Sequence, residues 1–490
     1  MADWQRLIRK GLISLSRSIK HMQHRRKHLG SETRNILATP LAAPRWLFVL
    51  FTLLALLLIL SSFQEINFRH VGGYVVLSFG FILLLGFYLY RYAPSIFESN
   101  NDLIILESVS ILIIALAKVF KGMGLSGYLI PLGMVSILMT ILVDIDLAIL
   151  MTVVLDILIA LIYQNDLTLF IVQLIGGLIG VFSASSVQQR TDLIRSGLLI
   201  SVGNIITLVC FSYLLEYNRI EAVAYNCIWG IANGFLCGVL SIGFLPYFEH
   251  MFGISSNIKL LELSDFNQPL LKRMMVEASG TYHHSLLVGN LAQTAAGAIG
   301  ANALLARVGA YYHDIGKLAK PEYYIENQDN YNRHDDLSPA MSSLIVLSHV
   351  KEGIELATKY KLTQEIIDII EQHHGTSLVY FFYQRALEED TETTKEHFRY
   401  PGPKPQSREA AIILLADAVE AASRSLDDPS YAHIQELVAR IINNKFIDGQ
   451  LEECDLSLKD IHVISEQFSH VLSGIFHNRV EYPEEGKTRK

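Results

Sequence analysis

Between residues 46 and 247 the chain carries eight apolar stretches, and these constrain its fold more than any other feature. They lie at 46–63, 71–90, 103–120, 126–143, 147–163, 167–185, 196–216 and 223–247. Each is long enough to cross a bilayer core of about 30 Å as a helix. An even number of spans returns the C-terminal half to the side of the N-terminus. The basic residues agree: the N-terminal tail, Arg91, Arg190 and Arg195 all fall on that side, which the positive-inside rule makes cytoplasmic. The tightest division is between 126 and 163, where only Asp144 and Asp146 mark a turn. Losing a span there would put the second half outside the cell. Cysteine usage argues against that: Cys210, Cys227, Cys237 and Cys454 form no CxxC pair and no disulfide framework, as in a reduced compartment.

Residues 1–45 carry ten Lys or Arg against Asp3 and Glu32. A solvated basic tail is the plain expectation. A helix lying on an anionic leaflet is the alternative, because Trp4, Leu7, Ile8 and Leu12 fall at near-helical spacing. The basic stretch is too long for a secretory leader and no small-residue cleavage site follows it, so 46–63 reads as a retained signal anchor. Among the spans, Lys118, Asp144 and Asp146 sit near ends and are expected to snorkel. Glu107 and Asp156 lie deeper, where a charge is either structurally satisfied or part of ligand sensing. Asn204, Asn226 and Asn233, with Gly230, Gly234 and Gly238 at four-residue spacing, read as helix-packing chemistry. No proton relay or inverted repeat stands out, which argues against a transporter.

Around Phe248 the composition changes. Residues 249–280 read as a helical connector. Apolar residues then recur at i, i+3, i+4 spacing in 284–298, 302–316, 338–358, 363–373, 408–426, 430–446 and 456–476, with no strand alternation, so this half is expected to be all-α. Residues 386–407 pass from an acidic run into Tyr400-Pro401-Gly402-Pro403, a surface excursion or a lid.

The chemistry-bearing residues lie in this half. Tyr311-Tyr312-His313-Asp314-Ile315-Gly316-Lys317-Leu318 sets an imidazole beside a carboxylate, with a lysine one turn on that can reach a metal-held phosphate. His284 opens an apolar helix, and His283 is an alternative to it. His349 sits late in the helix from 338, and His373 and His374 close the helix 363–373 before Gly375 as its C-cap. Asp417 lies mid-helix, where an uncompensated carboxylate is costly to bury. Helices that project His and carboxylate inward are one way to hold two metals. The mixed ligands suit manganese or iron, with zinc allowed. Two divalent ions can activate water and hold the phosphate oxygens together. Arg424, two turns after Asp417, is expected at the surface or on a second phosphate. The net charge of -8 argues against a nucleic-acid polymer as partner.

Six segments together resemble the membrane-bound HD phosphodiesterases with seven-transmembrane modules, which hydrolyse cyclic di-AMP. They are Gly280-Thr281-Tyr282-His283-His284-Ser285-Leu286, Tyr312-His313-Asp314-Ile315-Gly316-Lys317, Glu326-Asn327-Gln328, Ser348-His349-Val350, His373-His374-Gly375-Thr376 and Leu415-Ala416-Asp417. The resemblance implies one metal on His284, His313, Asp314 and Asp417. It implies a second on Asp314, His349, His373 and His374, with Asp314 bridging and Lys317 beside the phosphate. The implied reaction opens cyclic di-AMP to linear pApA. That family commonly has a large extracellular sensing domain after the first span; here only residues 64–70 stand there, so no sensor is expected at that place. Phe266, Gln268, Ser279 and Arg333 also depart from the family's pattern, away from the proposed ligands. After His374 the chain reads Gly375-Thr376-Ser377-Leu378 rather than a GYP signature, which argues against cyclic di-GMP.

The expected plan is a basic cytoplasmic tail (1–45), a first transmembrane helix (46–63), a seven-helix membrane domain (71–248), a helical connector (249–280) and an all-helical HD phosphohydrolase domain (281–480). The protein is then a multi-pass plasma-membrane enzyme with its N-terminus and HD domain in the cytoplasm, and a homodimer through the connector is a further expectation. The alternatives are an HD hydrolase of another nucleotide and a membrane nucleotide receptor without turnover.

Overall fold

The structure is a computed structural model that describes residues 68–476, apart from 94–95, 97–99, 165, 215–219, 253, 329–330, 390–392 and 427–429. The expected basic tail 1–45 and first span 46–63 lie outside the described residues. The chain divides into two units, one ending at Lys259 and the other beginning at Leu260. Among the described residues there is no strand, only an isolated bridge between Leu378 and Arg399.

The first unit is built from α1 (Phe68–Tyr92), α2 (Asn100–Gly122), α3 (Leu132–Leu142), α4 (Ile145–Ile162), α5 (Leu167–Ala184), α6 (Arg190–Leu214) and α7 (Ile220–Phe252). Five stretches, in α2 and α4 to α7, are long and apolar enough to cross a membrane. The unit has an apolar core that includes Ile113, Leu138, Leu147 and Ile159, a few polar side chains buried among it, and an apolar outer face. Asn204, Asn233, Gln173 and Thr152 are buried, while Leu198, Val202, Ile206, Ile228 and Phe235 are each about half exposed or more. Asp144 is the N-cap of α4, its Oδ1 accepting from Asp146 N at 2.8 Å, so this residue caps rather than merely snorkels. Asp156 is fully buried, and neither of its carboxylate oxygens has a hydrogen-bond partner.

The packing reading holds for Asn204, Asn233, Gly230, Gly234 and Gly238. A Cβ on Gly234 would stand 2.4 Å from Gly197 O, so α6 and α7 cross backbone to backbone. Asn204 Nδ2 donates to Gly230 O at 3.2 Å and to Asn233 Oδ1 at 3.1 Å across the same crossing. The segment 126–143 differs from expectation. It is not one helix but a 3-10 turn, Gly127–Leu129, followed by the eleven-residue α3. Pro131, which has no N–H to continue a helical ladder, stands at the junction as the N-cap of α3. The exposed carbonyls are taken up by side chains: Gln173 Nε2 donates to Gly127 O and Ile130 O at 3.0 Å each, and Asn233 Nδ2 donates to Ile130 O.

The second unit contains α9 (Pro269–Glu277), α10 (Ser279–Ala298), α11 (Ala303–Tyr312), α12 (Pro339–Lys359), α13 (Gln364–Gln372), α14 (Tyr380–Glu389), α15 (Arg408–Ser423), α16 (Tyr431–Ile447) and α17 (Leu458–Ile475), with α8 (Asn257–Leu263) leading into it. The periodic segments became helices within a few residues of their expected ends. Helix α14 was not anticipated: it runs to Glu389, over the start of the expected excursion at 386–407. Its two leading aromatics, Tyr380 and Phe381, are exposed, so its apolar pattern is not one-sided. Helix α15 is the axis of the unit, with every residue from Ala410 to Ala416 buried. Ser407 and Ser457 cap α15 and α17, the latter in a full capping box with Asp460. Tyr312 OH donates to Leu263 O at 2.8 Å, which ties the connector to the last turn before His313.

Candidate metal centre

The centre is assembled where five helices end or pass. His313 follows α11 as its C-cap, and Asp314 then turns the chain into a 3-10 segment, Ile315–Ala319. Gly316 lets that turn touch α12: a Cβ there would lie 1.8 Å from His349 O. Gly280 does the same for the start of α10, where a Cβ would lie 1.8 Å from Glu326 O. Thr281 then bonds Asn327 Oδ1 through its N–H at 3.1 Å and Glu326 Oε1 through its hydroxyl at 3.0 Å. His373 caps α13, and Gly375, at φ +54°, turns the chain away behind His374.

Around Asp314 the side chains separate into two groups, each gathered tightly enough to hold an ion: His284, His313 and Asp314, and Asp314, His349, His373 and His374. Asp314 belongs to both through different oxygens. Its Oδ2 faces His284 Nε2 at 3.6 Å and His313 Nε2 at 3.2 Å; its Oδ1 faces His349 Nε2 at 3.4 Å and His373 Nε2 at 3.6 Å. Asp417 on α15 is likewise shared, with Oδ1 at 3.0 Å from His284 Nε2 and Oδ2 at 3.6 Å from His374 Nδ1. All seven expected ligands converge here.

Three of the histidines have their tautomer fixed by the backbone. The Nδ1 atoms of His313, His349 and His373 donate to the carbonyls of Ala310, Val346 and Ile370 at 2.7, 2.6 and 2.7 Å. A carbonyl only accepts, so each ring keeps a proton on Nδ1 and turns Nε2 inward. His313 Nε2 and Asp314 Oδ1 are buried without a hydrogen-bond partner. Buried acceptors that face only one another are costly, and cations satisfy them. These residues therefore fit divalent metal.

The electrostatics divide the ligands: His349 and His374 are held neutral, while His313 holds a second proton that a cation at Nε2 would displace. Burial pushes the His349 imidazole down to about 4, aided by His373 and Lys317 and opposed by Asp314, so it stays a neutral ligand. Burial, with His373, likewise holds His374 well below the usual histidine range. At His313 burial is outweighed by the Asp314 and Asp417 carboxylates, which raise it to about 10. Burial also works against the Asp314 carboxylate, but His313 and Lys317 hold it well below the usual range. Lys317 Nζ lies 2.8 Å from both Asp314 Oδ2 and Glu326 Oε1. Arg424, expected at the surface or on a phosphate, lies part-exposed and paired with Glu420. It is 43% exposed and its Nε and Nη2 donate to Glu420 Oε1 at 2.9 and 2.7 Å. The accessible side of the centre is formed by His374, Asp417 and Lys317, with side-chain exposures of 20, 14 and 14%.

Several contributors had no place in the sequence reading. Glu420 accepts from His284 Nδ1 at 2.5 Å; its spacing, three after Asp417 and four before Arg424, was the available signal. Tyr400 stacks on His374 with ring centroids 4.2 Å apart, brought there by the 386–407 segment. Lys317 Nζ sits 5.0 Å over the Tyr324 ring. Lys445 reaches Ser377 Oγ at 2.7 Å, and Gln450 holds Thr376, so the turn after His374 is fastened from α16 and beyond.

Known proteins match both units. Residues 68–256 match the family model of the 7TM receptor with intracellular HD hydrolase, and residues 281–422 match the HD domain. The cyclic-di-AMP phosphodiesterase PgpH of Bacillus subtilis (strain 168) is 41% identical over 438 residues, covering 86% of this chain and 61% of that protein. PgpH of Listeria monocytogenes serotype 1/2a (strain 10403S), also a cyclic-di-AMP phosphodiesterase, is 35% identical over 437 residues, covering 86% and 60%. The chain thus spans about three fifths of the length of these relatives. A crystal structure of the L. monocytogenes phosphodiesterase PgpH HD domain in complex with cyclic-di-AMP is 48% identical and matches at a TM-score of 0.42, covering 44% of this chain and 100% of that one. The identity thus runs across both units, with residues 68–256 matching the seven-transmembrane module and residues 281–422 the HD domain.

Proposed function

We propose that the chain is a metal-dependent phosphodiesterase that hydrolyses cyclic di-AMP to linear pApA at a cytoplasmic two-metal site. The observation that carries the reading is Asp314, whose two oxygens face two separate sets of imidazoles. The identity to two cyclic-di-AMP phosphodiesterases supports the substrate. His284, His313, Asp314 and Asp417 would hold one ion, and Asp314, His349, His373 and His374 the other. Imidazole with carboxylate suits manganese or iron. Bound there, a pair of divalent ions supplies an activated water and charge neutralisation on the phosphate.

The chain's own residues do the rest. His374, Asp417 and Lys317 form the accessible side, so a phosphodiester meets the centre over them. Lys317, already charged and held by Asp314 and Glu326, presents fixed positive charge there. Tyr400 covers the outer face of His374 and keeps that ring in place. Arg424 has Nη1 to offer a second phosphate while its other nitrogens stay on Glu420. The bilayer holds the first unit, with the N-terminus and the HD unit on the cytoplasmic side, as the placement of Arg91, Arg190 and Arg195 supports. A homodimer through the connector completes the reading.

The test is hydrolysis by the detergent-solubilised chain supplied with manganese or iron. Cyclic di-AMP, cyclic di-GMP and a nucleoside triphosphate are offered separately, and products are resolved by chromatography. Conversion of cyclic di-AMP to pApA that Asp314→Ala abolishes is the expected result. Faster turnover of either other substrate would reassign the specificity, and metal binding without any turnover would favour the receptor reading.

A further inference from the structure

The two halves of the centre are built differently behind the ligands. His313, His349 and His373 each lean on a neutral backbone carbonyl three residues back. His284 alone leans on a carboxylate: its Nδ1 lies 2.5 Å from Glu420 Oε2. Glu420 is 1% exposed, so its charge needs a partner, and Arg424 provides it from the next turn of α15 with two donors on Oε1. The chain Arg424–Glu420–His284 therefore runs from the surface along α15 and across to α10 at the centre. His284 Nε2 in turn meets Asp417 Oδ1 at 3.0 Å and Asp314 Oδ2 at 3.6 Å. On the opposite side, His349 and His373 have no such carboxylate behind them.

We propose that Glu420, fastened by Arg424, is a positioning residue that makes the two metal positions unequal, so that the position built on His284 fills first and holds its ion more tightly. The physical reason is twofold. An ionised carboxylate accepting from Nδ1 fixes both the tautomer and the ring orientation of His284, and it raises the basicity of Nε2. It also brings one more negative charge to that side, where Asp314 Oδ2 and Asp417 Oδ1 already face the imidazoles. The second position, with three imidazoles and Asp314 Oδ1 but no carboxylate behind its rings, fills against less attraction and after the first cation is in place. Arg424 has the lesser effect, acting through Glu420. The inference rests on the two-ion reading above and adds an order of loading to it.

The experiment is calorimetric titration of the full metal-stripped chain in detergent with manganese alone, with bound manganese counted by elemental analysis. Wild type is expected to take two ions in two resolved steps. Glu420→Gln, which keeps the shape and removes the charge, is expected to weaken the tighter step by about 10–100-fold, the range for lost outer partners of a metal-bound histidine. His349→Ala is expected to remove the weaker step and leave the tighter one. Arg424→Gln, at a partly exposed position, is expected to weaken the tighter step several-fold, and it serves if the buried substitution unfolds the chain. Two ions in wild type with the tighter step unchanged in Glu420→Gln, or in Arg424→Gln if that variant alone folds, would overturn the proposal while leaving the two-ion reading intact. Fewer than two ions in wild type would remove that reading itself.

Discussion

His349 Nε2 and His373 Nε2 face each other at 3.2 Å across the centre, although each ring already spends its proton on a backbone carbonyl behind it. Two lone pairs at that distance repel, and the remedy is a positive charge on both. Four buried or nearly buried carboxylates, Asp314, Asp417, Glu326 and Glu420, stand around the centre against Lys317, Arg424, Lys445 and the His313 ring that Asp314 and Asp417 keep protonated. A divalent ion can take the place of the His313 proton and satisfy the facing lone pairs of His349 and His373 together.

Divalent metal should accordingly stabilise the second unit strongly. With free manganese at 100 times its dissociation constant, the gain is about 2.7 kcal/mol per site. For a unit of about this size that corresponds to a rise of roughly 5–11 °C in Tm. Scanning calorimetry of the chelator-treated and manganese-loaded protein measures it. An unchanged Tm would mean that the inward lone pairs are satisfied in some other way.

Lys317 separates charge balance from catalysis. Its ammonium neutralises Asp314 and Glu326 and lies on the accessible side of the centre. Lys317→Gln is expected to lower kcat by about 10²–10³-fold, as for loss of one preorganised donor to transition-state charge. Metal content should stay at the wild-type level, because lysine is no ligand. Loss of bound metal together with activity would show that Lys317 acts only by holding Asp314.

The positions of the ligands were legible in the sequence because chemistry leaves few other reasons for His313, His373 and Asp417 to stand at apolar helix ends and interiors. What surrounds them was not. Tyr400 reaches His374 from a proline-rich segment whose composition says only that it is not helical. Helix α14 was hidden because Tyr380 and Phe381 point outward and break its one-sided pattern. In the first unit Pro131 was visible, yet a hydropathy window sees an apolar run at 126–143 and not the missing N–H that divides it.

Acid should loosen the segment that carries Tyr400. Arg399 donates to Asp448 Oδ1 at 2.7 Å and to Thr376 O at 2.7 Å. Burial raises the Asp448 carboxyl, but the Arg399 bond outweighs it and holds it below its ordinary value of 3.8. A depressed folded value means the contribution is fully present above 3.8 and is lost as pH falls through the lower folded value. Urea unfolding of wild type and Asp448→Asn across pH measures it. The stability difference should be flat above 3.8 and close below it; a difference that grows on acidification would reverse the sign.

Gly316 offers the sharpest test of how the fold places the metal, since it touches no ligand atom. A Cβ there would stand 1.8 Å from His349 O and 2.5 Å from Gly353 N, both backbone atoms of α12 that cannot swing aside. Gly316→Ala must therefore drive the turn carrying His313 and Asp314 away from the helix carrying His349. The strain should lower stability by about 1–3 kcal/mol, as for overpacking elsewhere. Its larger effect should be on the centre, because Asp314 Oδ1 sits only 3.4 Å from His349 Nε2 and faces the second position through that contact. Elemental analysis should find the variant folded but short of metal, with the deficit on the His349 side. A folded Gly316→Ala protein with full metal content and wild-type turnover would mean that the contact between turn and helix does not set the spacing of the two positions.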